Sequence, residues 1–395
     1  MNEQLQKVVD VMEERSVFQT DKKREDWRYS AEALEQSLRN VKHYVRLPFL
    51  YEYWYVAGLA EEFSRTLMAK TILNRSIVFF RKESGELVAL QNRCAHRSYP
   101  LSESHLEGDT IRCGYHGIRY DASGKILNVP CQAKVPPGGV KSYDVHETGP
   151  FVWIWMGEGK GDLSRIPDMT PYMDETRWSF SVGGLPVPGN YLLMQENLAD
   201  LSHLPYLHAS TFGILESWAA RPIETKIDEE KMTVDFYRES RDWELSRSFF
   251  PPDLNYEGRD FVERAGGRYE TPAFHRGWDT LKVNDAKPGE RDEFHVYFDH
   301  FLTPESHTHT HYYYGVARNS GIDNVEYIEA TRQVMKAAFA QDSEAVRHVQ
   351  NLLDNDQHDF RDLMIAGDKP AIATRRMILK LVEREYGPAS RKNVG

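Results

Sequence analysis

Two short pairs of metal-binding residue types occur in the first third of the sequence: Cys94 with His96, and Cys113 with His116. Sixteen residues separate His96 from Cys113, and each pair lies at the end of a stretch that has the composition of a β-strand. Two thiolates and two imidazoles can hold a tetrahedral zinc ion, or a [2Fe–2S] cluster with two Cys ligands on one iron and two His ligands on the other. Zinc fingers usually pair Cys with Cys and His with His, whereas each loop here offers one of each. The spacing therefore favours the cluster.

A second group of candidate ligands lies between Glu196 and His208, where two carboxylates and two imidazoles occur in an otherwise apolar segment. Buried polar side chains are costly unless they are hydrogen-bonded or bind a ligand, so His203 and His208 are candidate metal ligands. A non-haem Fe(II) site uses two His and one carboxylate and leaves positions open for O₂ and substrate. The segment supplies both histidines, and the carboxylate is expected to come from elsewhere.

Asp342 is the best candidate for that carboxylate. A helix is predicted over residues 325–353, and its apolar positions form one stripe: Met335, Ala338, Phe339, Ala345, Val346, Val349 and Leu353. Asp342 falls inside this stripe, whereas Glu344 and Asp354 lie off it or at its edge and are expected to face solvent. A carboxylate on a buried face is costly unless it is paired or binds a metal. A buried Asp held by hydrogen bonds or a salt bridge remains the alternative.

The elements around the first motif are predicted to be short strands. Turn signals such as Asp121-Ala122-Ser123-Gly124 separate these stretches. The predicted strands cover residues 76–81, 86–92, 111–113, 125–129 and 151–156. This region is therefore expected to be a small antiparallel β domain, and residues 157–171, rich in Pro, Gly and Asp, are the best linker candidate.

The remainder of the chain is predicted to form a second domain. It combines strand-like alternation around residues 292–316 with helices over 325–353 and 370–386. The first 48 residues carry two amphipathic helical patterns, the second following a possible N-cap at Ser30. Short amphipathic helices of this kind usually pack on the body of the protein or on a partner subunit, and we expect this extension to pack across a subunit interface. The protein is thus predicted to be α+β, with a helical extension over 1–48, a cluster-binding domain over 49–165 and a catalytic domain over 166–395.

Composition and charge exclude several classes of function. The 395 residues include 49 Lys and Arg against 60 Asp and Glu, a net charge of −11, so nucleic-acid binding is not expected. The most apolar stretch, 151–156, is far too short to span a membrane, and the N-terminus lacks the apolar core of a signal peptide. Three cysteines cannot form a disulfide framework, so a cytoplasmic protein is expected. Cys131, which has no nearby His, is expected to be a buried free thiol.

The first motif resembles that of the Rieske proteins, in which Cys-x-His is followed by Cys-x-x-His with glycines beside the second pair. Gly114 and Gly117 occupy those positions, and Arg97 follows the first His as it does in Rieske oxygenases. Those oxygenases commonly read Cys-Pro-Tyr-His-Gly-Trp. This chain has Gly114 for the Pro and Ile118 for the Trp, departures that leave all four ligands intact.

The second motif, Asn-x-x-Asp-x-x-His-x-x-x-x-His from Asn197 to His208, resembles the iron site of the Rieske non-haem iron oxygenases. The residues around it resemble the vanillate O-demethylase and dicamba monooxygenase branch. The resemblance covers about residues 54–211, returns at 302–305 and 311–313, and includes the helix of Asp342. It implies an N-terminal Rieske antiparallel β domain followed by a helix-grip (START-like) catalytic domain with an antiparallel sheet and helices.

The resemblance also implies roles for individual residues. Cys94, His96, Cys113 and His116 would bind the [2Fe–2S] cluster, and His203, His208 and Asp342 would bind mononuclear iron. Asp200 would bridge subunits by accepting hydrogen bonds from His116 of one chain and His203 of its neighbour, and Asn197 belongs to the same catalytic motif. The chains would form a head-to-tail homotrimer that brings each cluster close to the iron of the next chain.

The function that this resemblance implies is that of a terminal oxygenase component. Electrons from NAD(P)H would pass through a separate reductase, with or without a ferredoxin, to the cluster and then to Fe(II), where one atom of O₂ enters a C–H bond of an aromatic substrate. A methoxy or N-alkyl aromatic would be dealkylated. The alternatives are cis-dihydroxylation of an aromatic acid, an electron-transfer Rieske protein with an empty second site, and a structural zinc protein.

Three further histidines could contact the substrate. His307, His309 and His311 alternate with Thr308, Thr310 and Tyr312, so on a strand the three imidazoles would share one face. They could face solvent, line the substrate pocket or bind zinc, while the opposite face would point to the core. Because the His-Tyr-aromatic run resembles the family, His311 is the best candidate for a substrate contact and His309 the second.

Overall fold

The computed structural model describes residues 30–241, 250, 258–356, 358 and 360–387. Three small antiparallel sheets contain β1 (Trp54–Leu59), β2 (Met68–Ile72), β3 (Arg75–Arg81), β4 (Leu87–Gln91), β5 (His105–Glu107), β6 (Thr110–Arg112), β7 (Arg119–Tyr120), β8 (Ile126–Asn128), β9 (Ser142–Tyr143), β10 (Val145–Thr148) and β11 (Phe151–Trp155). Their strand orders are β1-β11-β10, β2-β3-β4-β9 and β5-β6-β7-β8. The predicted small antiparallel domain is confirmed, and each predicted strand agrees within one residue at either end.

A seven-stranded antiparallel sheet forms the second part of the chain. It contains β12 (Ser179–Val187), β13 (Glu224–Asp228), β14 (Thr233–Ser240), β15 (Phe261–Thr271), β16 (Phe274–Val283), β17 (Glu293–Pro304) and β18 (Thr310–Arg318). The strand order is β12-β18-β17-β16-β15-β14-β13, so consecutive strands from β13 to β18 are neighbours. The alternation predicted around 292–316 corresponds to the β17–β18 hairpin.

Some helices pack against this sheet, and others precede it or lie between its strands in the chain. They are α1 (Ala31–Ser37), α2 (Val41–Tyr44), α3 (Tyr191–Ala199), α4 (Leu204–Leu207), α5 (Glu216–Ala219), α6 (Val325–Asn355) and α7 (Lys369–Tyr386). Helices α6 and α7 confirm the two long helices that the sequence predicts, and the α+β class is confirmed. Among the described residues, no helix combines the length and the apolar character that crossing a bilayer requires.

The described part of the N-terminal extension forms two short helices on the body of the same chain. Ser30 caps α1 by accepting a hydrogen bond from the backbone N of Ala33 at 2.9 Å, and Asn40 starts a separate short helix, α2. These helices pack on the same chain, because the backbone N of Val41 donates to Asp362 at 2.9 Å and Arg375 donates to the carbonyl of Ser37 at 3.2 Å. The first amphipathic pattern, within residues 1–29, lies outside the described residues.

Helix α6 is held against the segment that leads into α3. A Cβ at Gly189 would lie 2.4 Å from Cγ1 of Val346, so only glycine permits this approach. The backbone N of Asn190 donates to Oε1 of Gln350 at 2.9 Å, and Ser343 donates to the carbonyl of Pro186 at 3.3 Å. These contacts fix the rotation of α6, and with it the direction in which Asp342 points.

The hairpin of the large sheet joins the two halves of the chain. Thr303 donates to the carbonyl of Val56 at 2.7 Å, and the backbone N of Leu73 donates to the carbonyl of Pro304 at 2.7 Å. The linker predicted over 157–171 contains only short 3₁₀ turns, Leu163–Arg165 and Thr170–Tyr172. The small sheets and the seven-stranded sheet therefore contact each other at the end of β17.

Candidate metal centres and substrate cavity

The first motif forms two loops at one end of the small sheets. Cys94 and His96 follow β4, and Cys113 and His116 follow β6. Each loop is closed by a backbone hydrogen bond of 2.8 Å, from Cys94 to Tyr99 and from Cys113 to Ile118. Both thiols are buried, whereas both imidazoles are exposed and their ring centroids lie 4.6 Å apart.

The chemistry of these loops fits an iron–sulfur cluster. Burial raises the pKa of the Cys113 thiol, so a thiolate at this position needs a cation to stabilise it. The hydroxyl of Tyr120 lies 3.2 Å from Sγ of Cys94 and accepts a hydrogen bond from the backbone N of Ala95 at 3.1 Å. The arrangement provides two inner sulfur ligands and two outer nitrogen ligands, so a cluster held here would have its histidine-bound iron at the surface.

Gly114 accounts for one departure from the usual Rieske pattern. Its backbone N donates to Oγ of Ser104 at 3.1 Å, a hydrogen bond that the proline usual at this position cannot make. A Cβ at Gly114 would lie 3.1 Å from the carbonyl oxygen of Glu103. The loop is thus held by a hydrogen bond that a proline at this position would remove.

The second motif brings three candidate ligands together. His203 ends a 3₁₀ turn, Leu201–His203, and His208 follows α4. Oδ1 of Asp342, on α6, lies 3.6 Å from Nε2 of His203 and 3.2 Å from Nε2 of His208. One ligand atom from each residue lies within 4.8 Å of the others. The structure therefore gathers the two histidines and the carboxylate that the sequence predicts.

Hydrogen bonds orient both imidazole rings. Nδ1 of His203 lies 2.5 Å from the backbone carbonyl of Asp200, and Nδ1 of His208 lies 2.8 Å from Oε1 of Gln341. Because both partners are acceptors, each ring must carry its proton on Nδ1 and present a free lone pair on Nε2. Both Nε2 atoms face Asp342.

The local electrostatics favour a cation at this point. Burial lowers the pKa of His203, while the charge of Asp342 acts in the opposite direction. Burial also disfavours a charged His208, but its contacts with Asp342 and Gln341 outweigh burial and raise its pKa. Asp342 therefore attracts a proton to His208, and a divalent cation would take the place of that proton.

Asp342 itself provides the test of fit. It is 3% exposed, and its Oδ1 makes no well-formed hydrogen bond within the described chain. A buried carboxylate in this state is costly unless a cation is present. Two imidazoles and one carboxylate form the ligand set that non-haem Fe(II) uses, so the three residues fit mononuclear iron.

A cavity lies beside these three residues. Leu204, Phe212, Trp218, Phe298 and Phe339 provide much of its apolar wall. The large sheet adds four polar side chains, which are Glu263, His275, Asp279 and His300. Cavities of this kind, mainly apolar with a few polar groups, typically bind small organic molecules. The cavity is the candidate substrate site.

Asp200 and Asn197 lie beside a different cavity. This second cavity is lined by both residues together with Glu196, Arg375 and Leu363, and His203 contributes to the walls of both cavities. The carboxylate of Asp200 accepts hydrogen bonds from the backbone N and the hydroxyl of Ser202, at 2.8 and 2.5 Å. His203 contacts the backbone carbonyl of Asp200, not the carboxylate that the resemblance implies.

Neither of the two candidate substrate histidines reaches the substrate cavity. His309 is exposed on the turn before β18, and a ring nitrogen of His311 contacts the carbonyl of Thr71, in β2, at 2.9 Å. Since β18 begins at Thr310, His307 and His309 precede the strand, and the three rings do not share a strand face. The prediction for Cys131 is also wrong, because this thiol is exposed.

Several polar residues near the site were missed. Gln341 precedes Asp342 in sequence, but only the helix packing shows that it contacts His208. Glu263, His275, Asp279 and His300 lie on three neighbouring strands. In β16 polar residues occur on both faces, so alternation alone could not separate the cavity face from the outer face. The one sequence feature that could have indicated these cavity residues is a polar residue within each otherwise apolar strand.

Two parts of the chain match known domain families. Residues 53–144 match the Rieske [2Fe-2S] domain, and residues 187–384 match the C-terminal domain of the vanillate O-demethylase oxygenase. The first range contains the four candidate cluster ligands, and the second contains His203, His208 and Asp342.

Relatives extend the match to most of the chain. It is 30% identical over 357 residues to the iron-sulfur subunit of the toluene-4-sulfonate monooxygenase system of Comamonas testosteroni, covering 86% of this chain and 99% of the relative. It is 28% identical over 372 residues to the oxygenase component of dicamba O-demethylase of Stenotrophomonas maltophilia, again covering 86% and 99%. A solved structure, dicamba monooxygenase bound to 3,6-dichlorosalicylic acid, gives a TM-score of 0.73 at 25% identity, covering 86% of this chain and 99% of that one.

These findings confirm the predicted enzyme class. The relatives are components of multicomponent monooxygenase systems, which supports a separate reductase as partner, an aromatic substrate, and the pairing of a [2Fe–2S] cluster with non-haem iron. They favour monooxygenation over the dihydroxylation and electron-transfer alternatives. The chain belongs to the Rieske non-haem iron oxygenases, in the branch that contains the oxygenase components of vanillate O-demethylase and dicamba monooxygenase.

Proposed function

We propose that this chain hydroxylates a C–H bond of a small aromatic substrate in the cavity beside His203, His208 and Asp342. The observation that carries this proposal is the position of the cavity, which has these three residues in its wall. The reaction consumes O₂, two electrons and two protons, and it yields one hydroxyl group and one water. A hydroxylated methoxy or N-alkyl group collapses to formaldehyde or another aldehyde, which gives net dealkylation.

The metal-binding residues have distinct tasks in this proposal. His203, His208 and Asp342 hold mononuclear Fe(II), which when bound supplies the activation of O₂. Cys94, His96, Cys113 and His116 hold the cluster, which accepts electrons from a separate NAD(P)H-dependent reductase, directly or through a ferredoxin. The backbone carbonyl of Asp200 and the amide of Gln341 keep both iron-binding imidazoles in one tautomer. The apolar wall excludes water from the reacting carbon.

The assignment of the cluster and iron ligands also divides the chain into two domains. We assign residues 49–165 to the Rieske domain and 166–395 to the catalytic domain, after an extension over 1–48. The family matches over 53–144 and 187–384 fall inside these limits. The hydrogen bond between Thr303 and Val56 then joins the two domains of one chain.

The first experiment counts metals on protein purified without oxygen. We expect about three iron atoms and two acid-labile sulfides per chain, with a Rieske-type EPR signal after dithionite reduction. With a surrogate reductase and NADH, a methoxyarene should then release formaldehyde and the corresponding phenol. Colourless protein with zinc, or two irons per chain that added Fe(II) does not raise to three, would contradict the proposal. A diol product would contradict monooxygenation.

Assembly into a head-to-tail trimer is part of the proposal. The cavity beside Asp200 and Asn197 has an exposed apolar rim, including Leu363 at 87% and Met364 at 39% exposure. The outer face of the cluster loops is also exposed, with His116 next to Tyr115, which is 58% exposed. A second copy whose loops cover this cavity would place His116 near Asp200. A heterologous contact of this type forms a closed trimer when each copy is rotated by a third of a turn from the last.

Mixed assemblies test this arrangement. A Cys113→Ser chain should lack the cluster, and an Asp342→Ala chain should lack the mononuclear iron, so each is inactive alone. If electrons cross between chains, co-assembled mixtures should recover a substantial part of the activity. The native assembly should have three times the chain mass of 45.8 kDa by light scattering. A monomeric active enzyme, or mixed trimers without activity, would contradict the proposal.

A further inference from the structure

The N-terminal extension contacts one particular segment of the chain, residues 356–368, which joins α6 to α7 and is called the α6–α7 connection. Apart from one short 3₁₀ turn, its described residues form no helix or strand. Nδ2 of Asn40 donates to the carbonyl of Phe360 at 2.6 Å, and Nζ of Lys42 donates to the carbonyl of Asp356 at 2.7 Å. Two side chains of the extension therefore hold the backbone of this connection.

Asp362 joins the extension, the connection and α7. Its backbone N donates to the carbonyl of Arg39 at 3.2 Å, and its carboxylate accepts from the backbone N of Val41 at 2.9 Å. Arg375, a buried residue of α7, donates to the same carboxylate at 3.3 Å and to the carbonyl of Ser37 at 3.2 Å. Hydrogen bonds to charged groups are stronger than those between neutral groups, so this network fixes the middle of the connection.

The α6–α7 connection forms part of the wall of the second cavity. The residues that the extension and the connection contribute to this wall are Val41, Asp362, Leu363, Met364 and Asp368. A Cβ at Gly367 would lie 3.2 Å from Oγ of Ser202 and 3.4 Å from Oδ1 of Asp200, so the connection packs directly against the turn that carries Asp200. A shift of the connection would therefore alter both the cavity and the surroundings of Asp200.

Charge favours the cluster loops of a second copy as the occupant of this cavity. The described residues that line it include one guanidinium, that of Arg375, and four carboxyl groups, which are those of Glu196, Asp200, Asp362 and Asp368. The cluster loops, residues 93–99 and 113–118, contain Arg93 and Arg97 and no acidic residue, and both arginines are exposed. Opposite charges on two surfaces steer their association and fix its register.

The connection exposes apolar side chains on a backbone that has only one turn of regular structure. Leu363 and Ile365 are both exposed. A flexible segment must lose conformational entropy when a partner binds it, whereas a segment that is already held loses less. The contacts made by α1 and α2 therefore lower the cost of docking before a second copy arrives. These two helices precede residue 53, where the first matched domain begins.

We propose that α1 and α2 form a clamp that holds the α6–α7 connection in the shape on which the cluster loops of a second copy of this chain dock. Asn40 and Lys42 are the positioning residues of this clamp, since they contact the connection and do not line the cavity. The inference rests on the head-to-tail assembly of the proposed function. The described part of the extension then acts on its own chain, and the connection makes the contact with the partner.

A double variant, Asn40→Asp with Lys42→Ala, removes both side-chain donors of the clamp. In Asn40→Asp a carboxylate oxygen can still accept from the backbone N of residue 42, at 2.8 Å in the native chain, so the N-cap of α2 is kept. Lys42→Arg keeps a donor and is the conservative variant. Ser30→Ala is the control, because it removes the N-cap of α1 and no described contact with the connection.

Two measurements on the full chain, loaded with both metals, test the clamp. Hydrogen exchange of the backbone amides of residues 360–368, compared at equal degrees of assembly, should be faster in the double variant. The dissociation constant of the assembly, measured by sedimentation, should rise at least about tenfold. The cluster EPR signal and the iron content should stay native. Ser30→Ala and Lys42→Arg should match the native protein in both measurements.

The outcomes separate this inference from the proposed function. Native exchange in the double variant, or faster exchange with a native dissociation constant, would overturn the inference. If the double variant does not fold, Lys42→Ala alone decides by the same two measurements, since the side chain of Lys42 is partly exposed. A native protein that stays monomeric with both metal sites intact would refute the proposed assembly and the clamp with it. A native trimer that the double variant leaves unchanged would refute only the clamp.

Discussion

Nδ1 of His208 lies 2.8 Å from Oε1 of Gln341, the residue immediately before Asp342 on the same helix. One turn of α6 thus carries both a candidate iron ligand and the group that orients a second ligand. The amide oxygen of Gln341 also lies 3.1 Å from the hydroxyl of Thr211, which donates to it. Gln341 is therefore a positioning residue for His208, and its removal would free the ring to rotate or to change tautomer.

Gln341→Ala should weaken the binding of mononuclear iron by about tenfold to a hundredfold and leave the cluster signal unchanged. Iron affinity can be measured by competition with a chelator, and the cluster by EPR on the same sample. Gln341→Glu, which keeps an acceptor, should retain more iron than Gln341→Ala. The control is Gln333→Ala, because Gln333 is exposed on α6 and contacts Glu329. Equal iron affinity in Gln341→Ala and Gln333→Ala would contradict the role of Gln341.

Asp200→Asn should retain both metal sites but lower product formation at least about tenfold. The amide oxygen of Asn can still accept from the backbone N of Ser202, so the turn before His203 should persist, while the negative charge facing the second cavity is lost. Electron transfer from the cluster can be measured directly in a single turnover, as the rate at which the reduced cluster is reoxidised after O₂ and substrate are added. Ser202→Ala keeps the carboxylate and serves as the control. If the cluster of Asp200→Asn is reoxidised as fast as that of the native protein, the charge of Asp200 has no part in electron transfer.

The candidate metal ligands could be predicted because their spacing is local or periodic. Cys94, His96, Cys113 and His116 lie in two short loops whose residue types have few structural alternatives. Asp342 could be found from the helical period, since a carboxylate inside an apolar stripe contradicts the pattern around it. The stripe was imperfect, because Val349 is 42% exposed, yet it identified the buried face of α6.

The substrate cavity could not be predicted because it depends on strand boundaries and on packing between distant segments. The backbone N atoms of Glu305 and Ser306 both donate to the carbonyl of His309, which closes a turn and delays β18 until Thr310. His311 then faces Thr71 in the small sheets. Asp279 and Glu263 resemble surface acids in the sequence, since only the curvature and register of the sheet bring them to the cavity.

The stability of the protein should fall in acid partly because of His275. Its pKa is about 3 in the folded chain, against about 6.5 in an unfolded chain. Between these values the unfolded state binds the extra proton, so the free energy of unfolding decreases as pH falls, by up to about 1.4 kcal/mol per pH unit from this group. Above about pH 6.5 the contribution is constant.

His275→Gln should therefore show a shallower loss of stability between about pH 6.5 and pH 4. Urea unfolding at several pH values measures the slope, with iron content held the same in all samples. His309→Gln is the control, because His309 lies on an exposed turn and its replacement should leave the native slope. If His275→Gln loses stability with falling pH as steeply as the native protein, the imidazole of His275 is already solvated or charged in the folded protein.

A buried ion pair supports the sheet behind the cavity. Nε and Nη2 of Arg276 lie 2.6 and 2.8 Å from the two carboxylate oxygens of Asp299, which is 0% exposed. Arg276 also donates to the carbonyl of Asp168 at 2.7 Å, which ties the linker region to β16. Successive side chains of a strand point to opposite faces of the sheet. The Arg276–Asp299 pair therefore faces away from the cavity, while the adjacent His275 and His300 face into it.

Arg276→Met should destabilise the protein by about 3–5 kcal/mol, because it leaves the Asp299 carboxylate buried without its counter-charge. The double change Arg276→Met with Asp299→Leu removes both charges and should cost less than the single change. Urea unfolding of the native protein, both single variants and the double variant completes the cycle. A cost below about 1 kcal/mol for Arg276→Met would place the pair among weak surface interactions.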